Sequence, residues 1–77
     1  MPNIKNVTLK QLRSFLLHEG CKNTRSKGGH EFWTRSDLLR PICLQSHIDP
    51  VPTFIIKQIL RALDMETEDF YKILITL

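Results

Sequence analysis

The chain has 77 residues, 42% of them hydrophobic and 25% charged, with a formal net charge of +3. So short a chain buries only about 60% of its unfolded surface, which excludes two full domains and most large-pocket enzymes. No apolar run approaches the ~20 residues of a membrane helix, and ordinary globular composition excludes disordered and collagen-like chains. Met1 to Lys10 has no apolar h-region, so no secretory signal is read there. Two cysteines, Cys21 and Cys43, are too few for a disulfide scaffold, and a reduced cytoplasmic protein without membrane attachment is expected.

The charge is uneven. Residues 1–61 hold ten of the eleven Lys/Arg and four of the eight Asp/Glu, a balance of +6, and residues 62–77 sum to −3. A basic body suits a polyanion, most commonly nucleic acid. A net charge of +3 fits a merely solvated surface at least as well. The acidic residues Glu66, Glu68 and Asp69 suit the first turn of a last helix through its dipole.

The first helix opens on Thr8, whose T-x-x-Q spacing to Gln11 predicts a capping box, with Val7 and Leu12 at the staple positions. Leu9, Leu12, Phe15 and Leu16 form its apolar stripe, and Gly20 supplies a left-handed stop. Cys21 to Ser26 reads as a polar strand, and Lys27-Gly28-Gly29 as a tight turn. His30 to Arg35 reads as a second strand because Phe32, Trp33 and Thr34 favour it. After a Ser36-Asp37 turn, Arg40 to His47 reads as a third, with Pro41 at its start or edge.

Ile48 to Pro52 is a loop broken by two prolines. Thr53 is the expected N-cap of a second helix running to about Leu63, with a broad apolar face of Phe54, Ile55, Ile56, Ile59, Leu60 and Leu63. Asp64 is expected in the left-handed position after it. A short last helix spans about Thr67 to Leu74. The order α-β-β-β-α-α predicts one α+β domain over residues 1–77, a three-stranded antiparallel sheet with helices packed on one face. The other face is then open to water or a partner.

Strand alternation puts His30, Phe32 and Thr34 on one side and Glu31, Trp33 and Arg35 on the other. If Ile42, Leu44 and Trp33 face the helices, then Cys43, Gln45, His47, His30 and Phe32 face out. Two histidines and an aromatic, with Arg25, Lys27 and Arg35 nearby, form a group able to cut RNA without a metal. Imidazole exchanges a proton near neutral pH, Lys or Arg stabilises charge on phosphate, and an aromatic stacks an unpaired base. Each residue also has a plainer reading. His30 is a polar strand-start residue, His47 precedes a loop, His18 meets the dipole at a helix end, and Trp33 is core. Phe32 becomes core if the register slips by one. Cys21 is read as small and buried.

Motifs for other chemistry are missing. There is no C-x-x-C, H-E-x-x-H or phosphate-binding glycine loop. Cys43 and His47 lie at i, i+4, a spacing that suits a metal on a helix but not on a strand. No metal or cofactor is expected.

Taken in order, the helix ending at Gly20, the strand with Arg25, the run Lys27-Gly28-Gly29-His30-x-x-Trp33, the strand Ile42-x-Leu44-x-x-His47, and Ile59-Leu60-Arg61-Ala62-Leu63-Asp64-Met65 followed by Glu68-Asp69-Phe70 resemble the HicA (YcfA-like) mRNA interferase toxins of type II toxin–antitoxin modules. The resemblance spans roughly Thr8 to Leu74. It implies a double-stranded-RNA-binding-like fold, cleavage of mRNA by a histidine that corresponds to His30, and a HicB-like antitoxin that masks the His30 face. On this reading Arg25, Lys27 and Arg35 hold the phosphate, Gly28 and Gly29 form the turn against the RNA, Phe32 stacks a base and His47 is a secondary candidate.

Four departures stand out. Gly29 replaces a usual serine and so removes a hydroxyl. Pro52-Thr53 stands two residues early for a usual Gly-Thr. Asp64 replaces a glycine, which a left-handed position tolerates. Glu31 beside His30 leaves two consequences open, repulsion of phosphate or tuning of the imidazole. The rival reading is a non-catalytic RNA-binding module of the same fold. A helix-turn-helix DNA reader is weaker, because its second helix would be acidic.

Overall fold

The computed structural model describes residues 6–77; Met1 to Lys5, half of the segment read as lacking a secretory signal, lie outside the described residues. The elements run α1 (Leu9–His18), β1 (Lys22–Lys27), β2 (His30–Thr34), β3 (Ile42–Gln45), α2 (Thr53–Ala62) and α3 (Thr67–Leu74). The strands form one antiparallel sheet in the order β1-β2-β3. The protein is therefore an α+β domain with the arrangement that the patterning predicts. Among the described residues no helix is long and apolar enough to cross a membrane.

Both ends of α1 are closed by local chemistry. The Thr8 hydroxyl accepts from the Gln11 amide at 3.1 Å, and the Gln11 side chain accepts from the Thr8 amide at 2.9 Å. Asp49 Oδ1 accepts from the Leu9 amide at 3.1 Å and ties the loop before α2 to this helix start. At the other end Gly20 adopts φ +82°. The Cys21 amide donates to Leu16 and the Gly20 amide to Leu17, the paired bonds of a Schellman ending. α2 ends the same way: Asp64 adopts φ +54°, Met65 donates to Leu60, and Asp64 donates to Arg61. A short polar side chain tolerates this conformation without a glycine.

Several boundaries and one burial differ from expectation, and β2 ends at Thr34, one residue short of Arg35. β1 starts at Lys22 because the Cys21 amide is spent closing α1. β3 covers only Ile42–Gln45, since pairing with β2 ends at Ile42–Trp33 and Pro41 has no amide to extend it. Its expected last residues, Ser46 and His47, form a turn instead. The N-cap of α2 is Pro52 rather than Thr53, and the Pro52 carbonyl accepts from both Ile55 and Ile56. Finally, Phe54 is exposed rather than part of the buried face of α2.

Leu12, Phe15 and Leu16 of α1, Trp33, Ile42 and Leu44 of the sheet, Ile56, Ile59 and Leu60 of α2, and Phe70 of α3 share one hydrophobic cluster. Phe15 meets Phe70 edge to face at 4.7 Å between centroids, which fixes α3 on α1. The helices therefore cover the sheet face that carries Trp33, Ile42 and Leu44. Glu31 lies on that same face and is only 6% exposed. Its carboxylate accepts a forked interaction from the Arg13 guanidinium and a 3.2 Å bond from Trp33 Nε1. The Arg13 hydrogen bond, with help from Trp33 and against burial, holds the Glu31 carboxyl below its ordinary range.

Two outcomes test this framework. Thr8→Ala removes the capping box and lowers stability by about 1 kcal/mol, a fall of about 4–8 °C in Tm for a domain of this size. Arg13→Ala leaves Glu31 buried and unpaired at a cost of about 2 kcal/mol, held to that level because the Arg13 side chain is 39% exposed and screened. The folded-state carboxyl titrates below its unfolded value of about 4.3. The stabilisation is therefore complete above that pH and is lost as pH falls through the folded value. Urea melts from pH 7 to pH 3 should show the gap between wild type and Arg13→Ala narrowing below about pH 4.3.

Candidate nucleic-acid interface

The open face is built from rows across the three strands. Cα partners in an antiparallel pair share a face. Lys27, His30 and Gln45 thus form one row, and Arg25, Phe32 and Cys43 the next. Trp33, Ile42 and Leu44 are buried against the helices, so the alternate residues His30 and Phe32 point outward, as the alternation predicts. Both are half-buried between their neighbours, while Cys43 is exposed and unbonded to Cys21. The Arg25 guanidinium carbon stands 5.4 Å from the Phe32 ring centroid, a cation–π pair across β1 and β2.

The β1–β2 turn is a two-residue loop in which Gly28 and Gly29 adopt φ +57° and +81°. Positive φ at both centres matches the twist of a hairpin and favours glycine. Ser46 fastens the turn from the end of β3: its amide and its hydroxyl donate to the Gly29 carbonyl at 2.7 and 2.9 Å. The next residue, His47, lies against Gly29. A Cβ on Gly29 would stand 3.2 Å from His47 Nδ1. The structure therefore brings His47 to the turn that immediately precedes His30.

Two residues go elsewhere. Arg35 shares the inward phase of Glu31 and Trp33. It donates to the Glu19 carbonyl at 2.8 Å and to Asp37 at 2.6 and 2.9 Å. It caps the end of α1 and holds the β2–β3 turn, so its expected place beside the phosphate is not where the structure puts it. Glu31 faces the core and is neutralised by Arg13. Neither consequence left open for it, repulsion of phosphate or tuning of the His30 imidazole, follows from that position.

Sequence reasoning missed one residue. Strict alternation along β1 would put Lys22 on the face opposite Arg25 and Lys27. A β-bulge between Asn23 and Arg25 restores it, because Lys22 pairs with Thr34, Asn23 with Trp33, and Arg25 with Phe32. The unpaired residue is Thr24, whose hydroxyl donates to the Phe32 carbonyl at 3.3 Å, while Asn23 Oδ1 accepts from the Arg25 amide at 3.1 Å. The only hint in the sequence is the Asn23-Thr24 pair, whose side chains compete for backbone partners. Among the described residues, no group of three or more His, Cys, Asp and Glu side chains is placed to hold a metal.

The contact between Gly29 and His47 has a measurable consequence. Gly28→Ala meets open space and costs only the left-handed backbone strain, about 1–2 kcal/mol. Gly29→Ala incurs that strain and also presses on His47. Its excess cost over Gly28→Ala should disappear in a His47→Ala background, as read by a double-mutant cycle of chemical melts.

No protein-family model matches the chain, and no curated protein or solved structure matches it significantly.

Proposed function

We propose that the chain is a metal-independent endoribonuclease acting on mRNA, the toxin half of a type II toxin–antitoxin pair of the kind its sequence resembles. The observation that carries this reading is the row Lys27-His30-Gln45 beside the Arg25-Phe32 pair, on the sheet face opposite the one that the described helices cover. An imidazole next to a cation and an aromatic meets the needs of phosphodiester cleavage. His30 serves as general acid or base, moving the proton of the attacking oxygen, a 2′-hydroxyl or water, or of the leaving 5′ oxygen. Lys27 and Arg25 stabilise charge that grows on the phosphate. Phe32, whose ring lies against the Arg25 guanidinium, is the aromatic offered to an unpaired base. His47 stands next to the turn as a second imidazole.

The resemblance adds a double-stranded-RNA-binding-like relationship, a cytoplasmic setting, and a HicB-like antitoxin that covers the His30 face. A cationic sheet face with a half-buried aromatic is consistent with such a partner. The competing reading, an RNA-binding module without turnover, keeps the same face and drops the role of His30.

Cleavage of a labelled mRNA in EDTA, wild type beside His30→Ala, tests the proposal. The expected result is cutting by wild type and at least a hundredfold loss in the variant, with both proteins folded and binding RNA alike. Cutting by both removes His30 from the reaction. Binding without cutting by either, with affinity falling steeply in salt, replaces the enzyme with the binding module.

A further inference from the structure

The bulge in β1 does more than shift a register. It sets Lys27, Arg25 and Lys22 on one face, opposite His30, Phe32 and Thr34 in turn. Successive rows lie two β2 residues apart, about 7 Å, a step that one nucleotide of an extended single strand can span. β1 is the edge strand and all six of its residues are exposed, so a backbone can lie along it. The ion pairs among the described residues are Arg13–Glu31, His18–Glu19 and Arg35–Asp37. None involves the three β1 cations, and their charge is left to act on a polyanion.

The two ends of this row differ. His30 occupies the row at the Gly28–Gly29 turn, and the cations continue only toward Thr34. Resting on the ribonuclease reading above, we infer that an extended single-stranded RNA lies along β1 with three successive phosphates on Lys27, Arg25 and Lys22. The phosphate to be cut sits at the Lys27–His30 end. The base stacked on Phe32 belongs to a nucleotide within the cation row. Recognition is one-sided: the nucleotides that strengthen binding lie on one flank of the cut, and Lys22 is a positioning residue two phosphates away from it.

The test uses the full chain with His30→Ala, so that a labelled single-stranded RNA stays whole, and reads affinity by fluorescence polarisation across a salt series. Adding Lys22→Gln should weaken binding and reduce the slope of log K against log salt by about 0.7, the value of one phosphate contact on a single strand. A second variant, Lys22→Ser with Ser26→Lys, keeps composition and net charge and leaves the bulge residues in place, but moves the cation to the phase that pairs with Glu31 on an exposed strand. It should lose as much as Lys22→Gln. In a His30-intact protein, trimming the RNA to a single phosphate beyond the cut should slow cleavage from one side only.

An unchanged salt slope in Lys22→Gln overturns the inference. So does full recovery in the exchanged variant, because net charge alone would then explain binding, and so does equal loss on trimming either side. If wild type cuts RNA while any of these holds, the ribonuclease reading survives and the phosphate track fails. If wild type neither binds nor cuts single-stranded RNA, both fail.

Discussion

The phase of β2 rests on one buried carboxylate. Glu31 lies between His30 and Phe32 in the chain but on the opposite face, where it is only 6% exposed. An unpaired carboxylate there would cost about 2 kcal/mol. The Arg13 fork and Trp33 Nε1 offset that cost, and both partners are available only when Trp33 also faces inward. A slip of one residue would turn Glu31 and Trp33 to solvent and drive His30 and Phe32 into the core. The network thus selects the one register that leaves an imidazole and an aromatic on the open face. Buried ion pairs often add little net stability, and here the specification of register is the larger consequence.

The same contact shapes the electrostatics. With Glu31 turned inward and paired, and Arg35 tied to Asp37 and the end of α1, the Lys and Arg residues in the strand rows of the open face are those of β1. The acidic residues Glu66, Glu68 and Asp69 gather at the start of α3. α3 packs on α1 through Phe15 and Phe70, in the layer behind the sheet. The helix layer mixes these carboxylates with Lys10, Lys57, Arg61 and Lys72, whereas Lys22, Arg25 and Lys27 share one sheet face with no carboxylate paired to them among the described residues. Lysines and a bulge on an edge strand also prevent strand-to-strand aggregation. That role accounts for exposed charge on β1 in general. It does not require all three cations to share the face that holds His30.

Much of this was legible in the residues, and the limits have physical reasons. Local signals transfer well because they involve groups three to six residues apart: Thr8 with Gln11, Gly20 at the end of α1, Asp64 at the end of α2. Period-two alternation assigned His30, Phe32 and Trp33 to their faces. Tertiary partners were not legible. Arg13 reaches Glu31 across 18 positions, and Arg35 finds the Glu19 carbonyl across 16, so nearness to His30 in the chain does not make a charged residue its neighbour in space. The bulge at Thr24 escaped for a related reason. A single inserted residue leaves the composition of a strand unchanged while inverting the face of everything before it.

The turn before His30 joins the two kinds of information. Gly29 stands directly before His30 and carries no side-chain hydroxyl. The turn is nonetheless not bare. Because residue 29 carries no Cβ, the His47 ring fits against it, with Nδ1 3.2 Å from where that Cβ would stand. Ser46 bonds the Gly29 carbonyl from the same short segment, by both amide and hydroxyl. The polar group beside the turn therefore comes from the end of β3 instead of from the turn itself. A Cβ at 29 would require the exposed His47 ring to give by a few tenths of an ångström, on top of the strain that φ +81° imposes on any residue but glycine.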